Sequence, residues 1–161
     1  ETVPTFVPTV TPTDSNTIFS DDFDYSENLK KWYDPGQPNA LWVGTGFRDH
    51  GAVQISNVIT DTAIYIKVPN VVLGKSYQAT VQCQADPDEE CKLWFGDLPW
   101  GEHRGYSYDQ EYKIFGNFDW QKLSVCLTQG KEVPLFIHIY AELPDTDVLY
   151  DDLKVFEVNN C

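Results

Sequence analysis

No apolar run in this chain exceeds the length of a β-strand, so nothing in it offers the roughly 20 consecutive apolar residues that a membrane-spanning helix requires. Positive charge is scarce as well. Eleven Lys and Arg stand against 25 Asp and Glu, a formal charge of −14. So few cations among so many acids cannot make the dominant basic face that a nucleic acid demands. The same imbalance argues against an anionic membrane surface and leaves neutral polymers, cations such as calcium, and basic proteins as partners. The N-terminus, from Glu1 to Val10, lacks the basic start and apolar stretch of a secretory signal, so the chain is expected to begin after any such segment. Missing too are an amphipathic helix of useful length, an internal repeat, and the Gly-x-Ser-x-Gly, His-Glu-x-x-His and phosphate-loop motifs. A length of 161 residues suffices for one domain with a sizeable core.

Four cysteines are present, and none lie in the close pairs that structural zinc sites use. An even count in an acidic, Thr/Pro-led chain points to two disulfides formed in an oxidising compartment; free thiols are the alternative. Strand parity assigns the pairs. In Tyr77-Gln78-Ala79-Thr80-Val81-Gln82-Cys83 the odd positions are apolar and the even ones polar, which turns Cys83 inward. Cys91 shares parity with Leu93 and Phe95, and the turn from Asp86 to Glu90 separates the two segments. Cys83–Cys91 is therefore the better local pair, leaving Cys126 for Cys161.

Residues 1–17 read as a linker. Pro4, Pro8 and Pro12 recur among threonines, a composition that favours extended chain, carries O-linked sugars, and joins modules of multidomain secreted proteins. An ordered edge strand over Phe6–Val10 is the alternative. Residues 18–161 form the domain. Strands are expected over Thr17–Asp22, Ala52–Ser56, Ala63–Val68, Ser76–Ala85, Cys91–Phe95, Glu111–Phe115, Gln121–Leu127, Pro134–Glu142 and Val148–Val158. Short strands regularly spaced by Gly, Pro and Asp turns describe an all-β sandwich or barrel. An aromatic content of 14% exceeds what such a core needs, so some rings should lie outside it.

Five segments, in order, resemble the carbohydrate-binding modules of the four/nine and twenty-two type, the cenC-like jelly rolls attached to plant-cell-wall hydrolases. These are Ile18 to Asp24 with Trp32 beyond, Asp49 to Ile55, Val72 to Tyr77, Asp119 to Leu123, and Val148 to Val155. Leu73-Gly74 departs from the usual Pro-Gly, and residues 96–110 have no clear counterpart. The resemblance implies a jelly roll of two antiparallel sheets that binds polysaccharide without catalysis. It implies a structural calcium ion near the chain ends, for which Asp22, Asp24, Asp49, Asp151 and Asp152 supply the oxygens the ion seeks. It also places Trp32 and Trp120 in the scaffold.

The segment Pro134 to Glu142 carries the ligand argument. Leu135, Ile137 and Ile139 share one face; Phe136, His138, Tyr140 and Glu142 share the other. Lys92 and Trp94 fall on the outer parity of their strand, and Tyr65 and Lys67 on that of theirs. If these strands share a sheet, Trp94, Tyr140, His138, Phe136 and Tyr65 line one concave surface. A pyranose stacks its C–H face on such rings while its hydroxyls bond to fixed polar groups, here Lys92, Gln110, His138 and Glu142. Trp42 and Trp100, in Gly/Pro-rich loops, are expected to wall this groove. The competing reading covers the rings with residues 96–110 and makes them a second minor core.

Two other functions remain open on sequence. A calcium-dependent adhesin or lectin shares the fold and the Thr/Pro stalk, but binds terminal sugars at loops. A jelly-roll polysaccharide lyase or glycoside hydrolase would draw on Glu102 to Tyr108, yet a chain at −14 repels the acidic polymers that lyases cleave. His138 and Glu142 stand four apart on one strand, about 13 Å, too far for a facing acid/base pair.

Overall fold

The computed structural model describes residues 16–33, 40–48, 50–57, 62–96, 110–130, 132, 134–141 and 143–161. Nearly all of the expected linker, Asp49, Trp100, Glu142 and residues 97–109 lie outside these. The strands are β1 (Thr17–Asp21), β2 (Ala40–Val43), β3 (Ala52–Asn57), β4 (Thr62–Lys67), β5 (Ser76–Gln84), β6 (Glu90–Gly96), β7 (Gln110–Phe115), β8 (Gln121–Thr128), β9 (Phe136–Ala141) and β10 (Thr146–Val158). Nine coincide closely with the expected segments. β2 does not: Ala40 to Val43 reads as loop from its Gly and Pro neighbours, and becomes a strand by pairing with β3. A 3-10 helix over Ser26–Lys31, also unforeseen, follows β1.

Two antiparallel sheets form the all-β sandwich expected. One runs β2-β3-β10-β5-β8, with β1 also paired to β10; the other runs β4-β9-β6-β7. Between them lie the apolar side chains of correct parity, among them Tyr77, Val81, Leu93, Phe95, Leu123, Ile137 and Ile139, each 1% exposed or less. Both expected disulfides form. Cys83 and Cys91 are fully buried and link the two sheets, as their inward parity requires.

β10 shows how the chain keeps this core apolar. Strict alternation from Val148 and Tyr150 would drive Asp152 and Lys154 inward. The register instead shifts between Asp151 and Lys154, and Asp152 takes a left-handed φ of 47°, a conformation aspartate tolerates better than most residues. This bulge inserts one residue and reverses the parity, so that Leu153 and Val155 are the buried ones. The bulge also marks where β3 ends as partner of β10 and β1 takes over.

Tyr150 joins the sheets from within. Its hydroxyl accepts a hydrogen bond from the Lys92 amide at 2.7 Å and donates to the Tyr140 carbonyl at 2.6 Å. A single phenol of the first sheet thus locks β6 to β9 beneath the outward face of the second.

Candidate functional site

Register gathers the expected ring residues on the outward face of β4-β9-β6-β7. Tyr65 lies opposite His138, His138 opposite Trp94, and Trp94 opposite Glu111. The rung on one side holds Ala63, Tyr140, Lys92 and Lys113, and the rung on the other Lys67, Phe136 and Gly96. Neighbouring strands lie about 4.8 Å apart, so side chains of one rung meet ring to ring. Tyr65 stacks on His138 with centroids 5.1 Å apart and planes at 20°, and Trp94 meets His138 edge to face at 4.3 Å and 87°. Phe136 packs edgewise on Tyr65 at 6.1 Å. The Lys92 ammonium lies 5.0 Å from the centroid of the Tyr140 ring and 3.3 Å from Glu111.

The expectation of an open aromatic surface is corrected in one respect. Trp94, His138 and Tyr140 are only 2%, 0% and 1% exposed. Trp94 and Tyr140, with Ala63 and Phe136, make a second apolar cluster on the far side of the sheet from the main core. Parity identified their face but could not say whether that face was open. Of the expected cover, residues 96–110, all but Gly96 and Gln110 fall outside the described residues.

Sequence reading missed Tyr33. It exchanges two backbone hydrogen bonds with Tyr65, at 2.8 and 3.0 Å, and so extends the ring rung one position beyond β4. Its ring stacks on Tyr65 at 5.3 Å and 21° and remains 58% exposed. A two-residue bridge has no periodicity, so no local pattern announces it. The position is set by its neighbour, Trp32, which is buried against Phe23 and donates its indole N–H to Asp21 Oδ2 at 2.9 Å. Asp21 Oδ1 also accepts from Asn28 Nδ2 at 2.8 Å and from the Phe23 amide at 3.1 Å. Trp32 is thus scaffold, as the resemblance implied, whereas Trp120 is only half-buried, edge-on to Phe47 at 6.0 Å.

Two residues expected at the groove, Trp42 as a wall and Gln110 as a polar partner, are elsewhere. Trp42 sits on β2 opposite Val53, at the edge of the other sheet, where its indole donates to the Phe23 carbonyl at 2.8 Å. Gln110 lies opposite Phe95, on the core-facing parity of edge strand β7, and so stands on the wrong side of the sheet to join the rings.

Four of the five acidic residues expected near the chain ends share one pocket, and Asp49 lies outside the described residues. Asp22, Asp24, Asp151 and Asp152 line one pocket of about 300 Å³, together with Arg48, His50 and Lys154. The residues of the β10 bulge form part of its lining. Asp151 is the buried member: its Oδ2 accepts the Phe47 amide at 2.8 Å and its Oδ1 the Asp152 amide at 2.6 Å. Burial pushes its carboxyl up to about 6, the two amides oppose this, and the charges of Asp152 and Asp24 add to it. Gly46 is required here, because a Cβ on it would lie 2.2 Å from the Gly51 carbonyl oxygen and 2.6 Å from Asp151 Oδ2. Asp152 pairs with Lys154 at 2.9 Å, and Asp24 lies 3.9 Å from His50 Nδ1. Carboxylate oxygens are the donors calcium prefers, but among the described residues no three His, Cys, Asp or Glu side chains are gathered closely enough to hold a metal ion. The site fits calcium in donor type and not in spacing.

No protein-family model and no curated protein matches the sequence. Solved structures do match in fold. The CBM22-1 xylan-binding domain of Paenibacillus barcinonensis Xyn10C superimposes with a TM-score of 0.70 at 10% identity, over 91% of this chain and 97% of that one. The CBM22-1–GH10 modules of Clostridium thermocellum endo-1,4-beta-D-xylanase 10B, complexed with xylohexaose, match at 0.66 and 14% identity over 88% of this chain and 29% of that longer one. TmCBM61, complexed with beta-1,4-galactotriose, matches at 0.60 and 13% identity over 81% of this chain and 90% of that one. What these likenesses establish is the fold: a two-sheet antiparallel β-sandwich of the kind found in carbohydrate-binding modules.

Proposed function

We propose that the chain is a secreted, non-catalytic module of a larger protein that holds a polysaccharide of the β-glucan, xylan or mannan class on the outward face of β4-β9-β6-β7. The observation that carries this reading is the single rung of Tyr33, Tyr65, His138 and Trp94, with a lysine on the rung to either side. Aromatic rings beside fixed donors suit the amphipathic surface of a pyranose. Neighbours of the same fold named for xylan binding, or complexed with xylohexaose and galactotriose, support it, and two disulfides accord with secretion.

Catalysis is disfavoured by the carboxylates of this face. Glu90 and Glu111 are its described acids, each within 4 Å of a lysine. Four residues of register separate them, about 13 Å, beyond the roughly 5–10 Å across which paired glycosidase carboxylates act. Affinity electrophoresis through soluble β-glucan, xylan and mannan should retard the protein in at least one polymer, and prolonged incubation with that polymer should release no reducing ends. Unretarded migration in all three, or measurable turnover, contradicts the proposal.

Calcium belongs to the same proposal. Asp22, Asp24, Asp151 and Asp152 stand too far apart in this structure to hold the ion together, so the ion, on binding, would draw them closer, offset their mutual repulsion and tie β1 to the β10 bulge. Because it would bind only the folded chain, it would stabilise by mass action. The melting temperature is expected to rise in excess calcium and fall in chelator, and an Asp151→Asn, Asp152→Asn variant should lose that difference. Identical wild-type melting curves in both conditions would remove calcium from the account.

A further inference from the structure

The ring rung is a column of stacked rings seen from the side, and stacking uses up faces. Tyr33 and Tyr65 are stacked at 5.3 Å with planes at 21°, and Tyr65 and His138 at 5.1 Å with planes at 20°. Both faces of Tyr65 are therefore turned to other rings. Trp94 closes the far end, set at 87° to His138 and only 2% exposed. At the other end, the side of Tyr33 directed away from Tyr65 has no ring of the described residues against it, and Tyr33 is the one residue of the four exposed by more than half. A sugar needs a ring face for its C–H surface, and among the four described rings of the rung Tyr33 alone turns an unstacked face to solvent.

We infer that the stacking contact with the polysaccharide is made on the outer face of Tyr33, beyond β4, and that the interior rings hold this platform in place. The inference rests on the polysaccharide-binding reading and relocates its contact from the centre of the sheet to the edge. Tyr33 is built for the task. Its backbone is pinned to Tyr65 on both sides of the amide, the preceding Trp32 is tied to buried Asp21, and the Tyr65 ring supports its inner face. Such pre-ordering lowers the entropy lost when a ligand binds. Trp94 and Tyr140, by contrast, are too buried to meet a sugar in this conformation.

The test measures affinity for whichever polymer retards the wild type. Tyr33→Ala should weaken binding by about tenfold or more, the usual loss for a stacking platform, and Tyr33→Phe should stay within about twofold, because the face and not the hydroxyl makes the contact. Tyr33→Trp should bind at least as well as wild type, and its added indole should give a polymer-dependent emission change that wild type lacks. Melting curves of all three variants identify any that fail to fold. A folded Tyr33→Ala that binds within about twofold of wild type overturns the inference and leaves polysaccharide binding intact. So does a Tyr33→Phe as weak as Tyr33→Ala, or a Tyr33→Trp indole whose emission ignores the polymer. A wild type that binds none of the polymers refutes instead the reading beneath it.

Discussion

Trp94→Ala is expected to destabilise the domain by about 3–5 kcal/mol, the range for removing a large buried aromatic side chain. On parity alone the same residue would be an exposed sugar platform whose loss leaves the fold intact. Burial decides between these outcomes. The indole is 2% exposed, meets His138 at 4.3 Å, and is clustered with Ala63 and Tyr140. Its removal opens a cavity that the flanking strands, paired on both sides of β6, cannot close by moving together. Urea denaturation of the two proteins measures the difference directly. A loss below about 1 kcal/mol would mean that water already reaches the ring, and the buried cluster would have to be abandoned.

Asp21→Ala should cost about 2–4 kcal/mol, since it strands the buried Trp32 indole and Phe23 amide, while Asn28 keeps Asp22 as a second acceptor. The carboxylate is 3% exposed and serves the Trp32 indole, the Asn28 amide group and the Phe23 backbone. Asp21→Asn retains one oxygen acceptor and should recover part of the loss. A second effect separates Asp21 from an ordinary buried polar residue. Because Trp32 precedes Tyr33, freeing the indole loosens the proposed sugar platform, and affinity should fall even at temperatures where the variant is fully folded. A variant of undiminished stability would show that the Trp32 contact contributes nothing net, and a stability loss with unchanged affinity would show that Tyr33 is positioned by Tyr65 alone.

Much of the site could be read from the chain because side-chain direction alternates along a strand. Phe136, His138 and Tyr140 had to share a face opposite Leu135, Ile137 and Ile139, and the same rule paired Cys83 with Cys91. The rule fails where the backbone leaves the regular ladder. The bulge at Asp151-Asp152 reverses inside and outside along β10, and Gln110 begins an edge strand on a parity its sequence does not declare. Asp21 was passed over for its neighbours Asp22 and Asp24 because nothing local distinguishes them. Only the tertiary fold encloses the first and leaves Asp22 at the surface.

By itself, then, the sequence determined a sandwich or barrel, its strands apart from β2, the Cys83–Cys91 pair and the shared face of Phe136, His138 and Tyr140, which follow from composition and a period of two. The family resemblance added the two-sheet sandwich, and elimination the Cys126–Cys161 pair. The tertiary structure alone decided which rings of that face are covered, where Trp42 lies, and that Tyr33 joins the rung. The reason is physical: a repeat in the chain reports the direction in which a side chain leaves the backbone, whereas burial and cross-strand stacking depend on what a distant segment brings to meet it.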